Sequence, residues 1–290
     1  MERTVQTPDG RTLAVQDVGD PDGKPVIVHM GSPNSRQMYP PHIADAQRRG
    51  LRLIGYDRPG YGGSTPKPGR TVADCAVDVT AICDTLGFDR VASWGISGGG
   101  PPVLACAALL PDRVAAVASL ASVAPYGAPG LDWLADMGQD NVDDFKLLVS
   151  DEPAARAKMT EDWKGFLAAT PEELAEGMAS LLTPTDAKVA AGPVGEFMST
   201  SFKDGMRESD EGWWEDGVSA MLPWGFELSQ ISVPVLLLHG RQDRFVPFGH
   251  GEWLAAHIPG VEARLTEEDG HLTLFEHRVP EVHAWLAQHI

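Results

Sequence analysis

The pentapeptide Gly95-Ile96-Ser97-Gly98-Gly99 stands directly behind the apolar run Val91-Ala92-Ser93-Trp94 and ahead of a helix-competent stretch. This succession of buried strand, glycine-flanked serine and helix has the form of a nucleophile elbow, and no other segment constrains the fold as tightly. A serine hydroxyl is a weak nucleophile at neutral pH, so the chemistry needs a sharp strand-to-helix turn that lifts the oxygen toward a base. Gly95 and Gly99 lack a Cβ, which lets neighbouring backbones approach while Ser97 is held in a strained conformation. In a chain with 31 glycines, a plain glycine-rich turn after a buried strand reads the same way, so the rest of the sequence has to supply a base and an acid.

Both are present in the order nucleophile, acid, histidine. Pro234-Val235-Leu236-Leu237-Leu238-His239-Gly240 is a short continuous apolar run, as expected of a parallel strand buried on both faces, and Asp243 follows in the loop at its carboxyl end. Ligand and catalytic groups in open parallel sheets collect at that edge, where Ser97 also falls. A solvated loop aspartate is the alternative reading of Asp243. The segment Glu267-Glu268-Asp269-Gly270-His271 forms a turn between the expected strand Val261 to Leu265 and a C-terminal helix. Eight other histidines compete with His271, but only His271 follows a strand, sits behind a glycine, lies downstream of Asp243 and precedes the terminal helix.

A second motif, Asp57-Arg58-Pro59-Gly60-Tyr61-Gly62-Gly63-Ser64, follows the expected strand Leu51 to Tyr56 and looks like a D-x-P-G-x-G-x-S loop. With the elbow, the acid and the histidine, it gives the chain a resemblance to the α/β-hydrolase superfamily that runs nearly end to end. That resemblance implies Ser97 as nucleophile, Asp243 as acid and His271 as base, with no cofactor. It also implies an oxyanion hole built from the amides of Gly98 and Ser32. The loop Met30-Gly31-Ser32-Pro33-Asn34-Ser35, after the strand Pro25 to His29, is similar to the family's H-G-x-P-G loop. It departs from that pattern at Met30, where a histidine is usual, and at Asn34, where a glycine is usual. Asparagine tolerates a left-handed backbone better than most residues. How the loop is anchored without the first histidine stays open, with His29 a candidate, and Ser32 and Ser35 also read as ordinary turn residues.

Strands near Thr4 to Thr7 and Thr12 to Val18, joined by the hairpin turn Pro8-Asp9-Gly10, are followed by alternating strand and helix to about Pro125. Such alternation implies a sheet covered on both faces. Residues 127–228 break it: they hold helix starts such as the capping box Thr170-Pro171-Glu172-Glu173 and no convincing strand. Strand and helix return from Ser232. The expected architecture is therefore an α/β-hydrolase fold, a mostly parallel eight-stranded sheet flanked by helices. Residues 1–126 and 229–290 form its core, and 127–228 form a helical cap inserted after the sixth strand. The cap holds five of the eight tryptophans, and Trp213, Trp214 and Trp224 are its candidate substrate contacts.

The expected function is a serine hydrolase acting on a small or medium hydrophobic ester or lactone. A lyase or a carbon–carbon hydrolase on the same fold, or a ligand-binding member with little turnover, are the alternatives. The 41 acidic and 23 basic residues leave a formal charge of −18, which disfavours nucleic acid and anionic membrane surfaces as partners. The polar start Met1 to Gly10 and the absence of an apolar run of about 18 residues point to a cytoplasmic protein, monomeric or homodimeric, with a small molecule as its partner. Cys75 and Cys83 share one face of a helix expected over Thr71 to Leu86, but eight residues separate them by about 12 Å, too far for a disulfide. With Cys106 they read as core residues, and no metal-ligand spacing appears.

Overall fold

The computed structural model describes residues 1–290. Eight strands form one sheet: β1 Glu2–Gln6, β2 Thr12–Gly19, β3 Lys24–His29, β4 Leu51–Tyr56, β5 Val91–Ile96, β6 Val114–Leu120, β7 Val235–Gly240 and β8 Glu262–Thr266. Their order is β1-β2-β4-β3-β5-β6-β7-β8. β2 is antiparallel to β1 and β4, and every later pairing is parallel. The hairpin between β1 and β2 turns at Gly10, whose φ of +84° suits a residue without a Cβ.

Between the strands run α1 Pro40–Arg48, α2 Cys75–Leu86 and α3 Gly100–Leu109. After β6 the chain leaves the sheet for six helices: α4 Gln139–Ser150, α5 Glu152–Ala168, α6 Pro171–Gly177, α7 Pro184–Ala190, α8 Pro193–Gly205 and α9 Glu211–Met221. Four of the six carry proline in their first two positions, where its missing N–H is no loss and its fixed φ suits the helix. The capping box at α6 closes as its sequence suggests, with Thr170 N donating to Glu173 Oε2 at 2.8 Å and Glu173 N to Thr170 Oγ1 at 3.2 Å. α10 Phe248–His257, α11 His271–Thr273 and α12 Val279–His289 complete the chain.

Every residue of β5, β6 and β7 is buried, as a strand covered by helices on both faces requires. Successive side chains point to opposite layers. Ile27, Val117 and Leu237 pack with Val79, Val103 and Leu254 of α2, α3 and α10. Val26, Ala118 and Leu236 pack with Ala46, Val282 and Leu286 of α1 and α12 on the other side. Burying each such valine, leucine or isoleucine side chain stabilises the fold by roughly 1.5–3 kcal/mol. The sheet is thereby a rigid floor, and the loops at the carboxyl ends of β3, β4, β5, β7 and β8 converge above it. No helix is long and apolar enough to cross a membrane.

The helix expected over Thr71 to Leu86 opens as a single 3-10 turn, Val72–Asp74, before α2. All three cysteines are buried and free. Cys75 meets a partner the sequence does not reveal: its sulfur lies 3.9 Å from that of Cys106 across the α2–α3 contact.

Candidate active site

β5 ends at Ile96 in an extended conformation, and Ser97 takes φ +55°, a left-handed value that costs a non-glycine residue about 1–3 kcal/mol. A 3-10 turn over Ser97–Gly99 then leads into α3. The two outer glycines are required by contact rather than by their own dihedrals. A Cβ on Gly95 would overlap the carbonyl of Gly99, and one on Gly99 would overlap the carbonyl of His29 on the adjacent strand. Both obstacles are backbone, and the one facing Gly99 is held by the β3–β5 ladder, which pairs His29 with Gly95. Gly99→Ala should therefore cost more than about 4 kcal/mol. At about 2–4 °C per kcal/mol for a chain of this size, a thermal melt followed by circular dichroism should show a drop of roughly 10 °C or more.

Asp243 and His271 arrive from the loops after β7 and β8. The Asp243 side chain is wholly buried, and its Oδ1 accepts from the amides of Phe245 and Val246, both at 2.8 Å. Its Oδ2 lies 2.7 Å from His271 Nδ1. The pairing assigns the Nδ1 proton to this bond and leaves Nε2 for the cavity that Ser97 also lines. Ser97 and His271 both line that cavity, without a hydrogen bond between them. Burial pulls the His271 pKa down, but the charge and hydrogen bond of Asp243, with the charge of Asp186, outweigh it and leave it raised. Phe245 stacks on the imidazole with ring centroids 4.6 Å apart.

None of the other eight histidines lines this cavity. His239 is closest to the pair, with Nε2 3.9 Å from Asp243 Oδ2, but that nitrogen lies 2.8 Å from the carbonyl of Val246, and burial holds the ring's pKa down.

The β3 loop brings Gly31 and Ser32 against the elbow. A Cβ on Gly98 would stand 3.1 Å from the amide nitrogen of Ser32, so the two backbones flank one point beside Ser97. The anchor of this loop is Arg58, not His29. Arg58 Nη1 donates to the Met30 carbonyl, and Nη2 donates to Ser32 Oγ at 3.2 Å. His29 faces Tyr56 OH at 3.1 Å and points into the α3 layer toward Cys106. Arg58 is in turn held by Asp216 of α9, at 2.5 Å from Nη2 to Oδ2. Asp216 also accepts from Tyr61 OH at 2.8 Å, from Arg70 and from the Ser32 hydroxyl. Burial raises the Asp216 pKa, but Arg58 and Arg70 more than reverse it, so the carboxylate stays charged. Two arginines against one carboxylate leave a surplus positive charge beside the Ser32 and Gly98 backbones. Breaking such a buried pair costs about 3–5 kcal/mol.

The cavity measures about 770 Å³ and lies between the sheet edge and the helices that follow β6. Aromatic side chains line much of it, among them Phe145, Phe166, Phe197, Phe245, Phe275 and Trp213. The exposed Asp140, Glu161 and Glu173 also line it, with Lys158 bound to Asp144 at 2.8 Å and Asp162 at 2.6 Å. Of the three tryptophans expected here, only Trp213 lines the cavity. Trp214, the next residue, is turned about 100° around α9 and lies under the Arg156 guanidinium at 5.2 Å. Trp224 is 4% exposed and packs in the α2–α3 core, stacked on Phe226. Sequence reading missed Arg58 and Asp216, although Arg58 lies inside the Asp57 to Ser64 motif and Asp216 shares a helix face with Trp213 three residues earlier.

Residues 24–278 match the family described as the alpha/beta hydrolase fold. The chain is 27% identical over 291 residues to the AB hydrolase superfamily protein YisY of Bacillus subtilis, covering 99% of this chain and 98% of that one. It is 28% identical over 265 residues to the bifunctional esterase/perhydrolase of Acinetobacter calcoaceticus, covering 84% and 83% of the two chains. Among solved structures, a thermophilic esterase from Thermogutta terrifontis superposes with a TM-score of 0.70 at 21% identity and covers 100% of both chains. The elbow, the sheet order and the family match over 24–278 agree, and the chain belongs to the alpha/beta hydrolase fold family.

Proposed function

We propose that the protein is a serine hydrolase that cleaves a small or medium hydrophobic carboxylic ester or lactone. The observation that carries this reading is the 2.7 Å Asp243–His271 pair, whose free ring nitrogen opens onto the cavity lined by Ser97. His271 takes the Ser97 proton as Oγ attacks the carbonyl, and Asp243 orients the ring and stabilises its charged form. The amides of Gly98 and Ser32 hold the oxyanion, assisted by the N-terminus of the elbow helix and the surplus charge of Arg58 and Arg70. His271 then protonates the leaving alcohol, and water releases the acyl group by the same steps in reverse. Residues 127–228 serve as the cap over a core made of 1–126 and 229–290. The aromatic lining favours an apolar acyl group, and the acidic lining residues disfavour an anionic substrate. The similarity to an esterase/perhydrolase points to the same bond class.

The test combines a fluorophosphonate label, located by mass spectrometry, with a panel of p-nitrophenyl esters of rising acyl length. Label on Ser97 and turnover of neutral esters are expected. Turnover of other substrates with Ser97 left unlabelled would favour a lyase instead. Within the panel, Trp213→Ala should raise kcat/KM for longer acyl chains relative to short ones by about tenfold, since each methylene accommodated is worth about 1–3 kcal/mol. Trp214→Ala should leave the chain-length preference where it was. Equal selectivity in the Trp213 variant and the wild type would sink the cavity assignment.

A further inference from the structure

His271 is steered from two sides, and one of them belongs to the helices between β6 and β7. Asp186, in the first turn of α7, is completely buried. Its carboxylate accepts from three consecutive amides at the start of α11: His271 N at 2.7 Å to Oδ2, and Leu272 N at 2.9 Å and Thr273 N at 3.0 Å to Oδ1. The opening N–H groups of a helix have no partner within it, so a carboxylate in this place satisfies them together. Gly270 makes the approach feasible, because a Cβ there would overlap Asp186 Oδ2. The neighbouring Thr185 hydroxyl donates to Gln242 Oε1 at 2.9 Å, so α7 also touches the residue before Asp243. No lysine or arginine balances this acid. Burial, together with the charge of Asp243, leaves its pKa raised, and the Thr273 and His271 amides and the charge of His271 only partly oppose the rise.

We infer that Asp186 is a positioning residue of the reaction: by fixing the backbone of His271 it sets where the imidazole points. The inserted helices then complete the catalytic base as well as covering it. This rests on the reading of His271 as the base. The ring pivots about a clamped main chain while Asp243 holds Nδ1, so its remaining freedom is small. Four groups set the field at the ring. Asp243 and Asp186 have no lysine or arginine partner, burial holds the His239 pKa down, and Asp269 is matched by Arg278 at 2.8 Å. The two carboxylates both favour the imidazolium that forms during turnover.

The test uses Asp186→Asn, which removes the charge and one acceptor, and Asp186→Glu, which keeps the charge and displaces it. Lys188→Ala, at an exposed position of the same helix, is the control. Three readouts are compared: the pH profile of kcat/KM on a neutral ester, an NMR titration of the His271 ring assigned through His271→Gln, and the melting temperature. The Asn variant should lose about tenfold or more in kcat with KM within about twofold, as a displaced catalytic group does. Its acid limb and its ring titration should both move to lower pH, because a charge that favours the protonated ring is gone. The Glu variant should lose kcat while keeping the limb near its wild-type position, and the control should match wild type. Unchanged kcat and ring titration in a folded Asn variant, or a lower melting temperature as the only effect, would overturn the inference. Should His271→Gln retain full turnover, the reading of His271 as base has failed. The ring titration then decides separately whether Asp186 acts on His271, and an unshifted one rejects that as well.

Discussion

Alanine at Ser97 is expected to lower kcat by about 10³–10⁶-fold on any ester the wild type turns over, with KM little changed and fluorophosphonate labelling abolished. Under the proposed mechanism, losing Oγ removes the atom that would form the acyl-enzyme, whereas the amides of Gly98 and Ser32 and the Arg58–Asp216 cluster would remain to polarise the carbonyl. Residual turnover above the uncatalysed rate should therefore persist. The fold should be indifferent to the change. Ser97 is only half-buried, and alanine at φ +55° pays the same steric cost as serine, so the melting temperature should stay within a few degrees of wild type. Active-site titration of both proteins checks the result against wild-type contamination. Turnover within tenfold of wild type would remove Ser97 from the mechanism.

Asp243→Asn should cost about 10⁴-fold in kcat, and here the loop geometry dictates why. Oδ1 receives two backbone N–H groups, from Phe245 and Val246, so in an asparagine that position has to remain the oxygen. The amide nitrogen then takes the place of Oδ2 and presents N–H groups to His271 Nδ1, 2.7 Å away in the wild type. Nδ1 must accept, which drives the ring proton onto Nε2, the nitrogen that the proposed mechanism needs free for the Ser97 proton. A ring protonated there cannot receive the serine proton. Steady-state kinetics together with the ring nitrogen chemical shifts of His271 report both halves of the argument. A loss below tenfold, or an Nδ1–H tautomer in the variant, would show that the carboxylate does not set the tautomer.

Much of the sheet is specified by local sequence. The segments Leu51–Tyr56, Val91–Ile96 and Val235–Gly240 appear as largely buried strands with nearly the bounds their sequences suggest. The capping box at Thr170 closes in both directions, whereas at Thr71 the Asp74 carboxylate accepts the Thr71 amide and hydroxyl. Ser97, Asp243 and His271 were legible for a related reason. Each sits at a strand end flanked by glycine, turn or loop residues, and strand ends at one edge of a parallel sheet converge whatever the intervening chain does.

The tryptophans show where this kind of reading stops. Composition singles out Trp213, Trp214 and Trp224 together, yet one lines the cavity, one lies against an arginine, and one is buried in the core. Helical rotation separates the first two, and the path of the chain after Met221 decides the third. The histidine loop is similar: the sequence places a turn before the terminal helix, whereas in the structure His271 itself opens a helical run that passes through a π-helical segment, Leu274–Arg278, into α12.

What the sequence by itself determined is the strand order of the chemistry and the elbow, because neighbouring residues set local backbone geometry through sterics and apolar periodicity. What only the tertiary structure decided is how the site is held. Arg58 meets Asp216 across 158 residues, and Asp186 meets His271 across 85. A carboxylate's partner at such a separation depends on how helices dock on the sheet, and no local pattern of side chains encodes that docking.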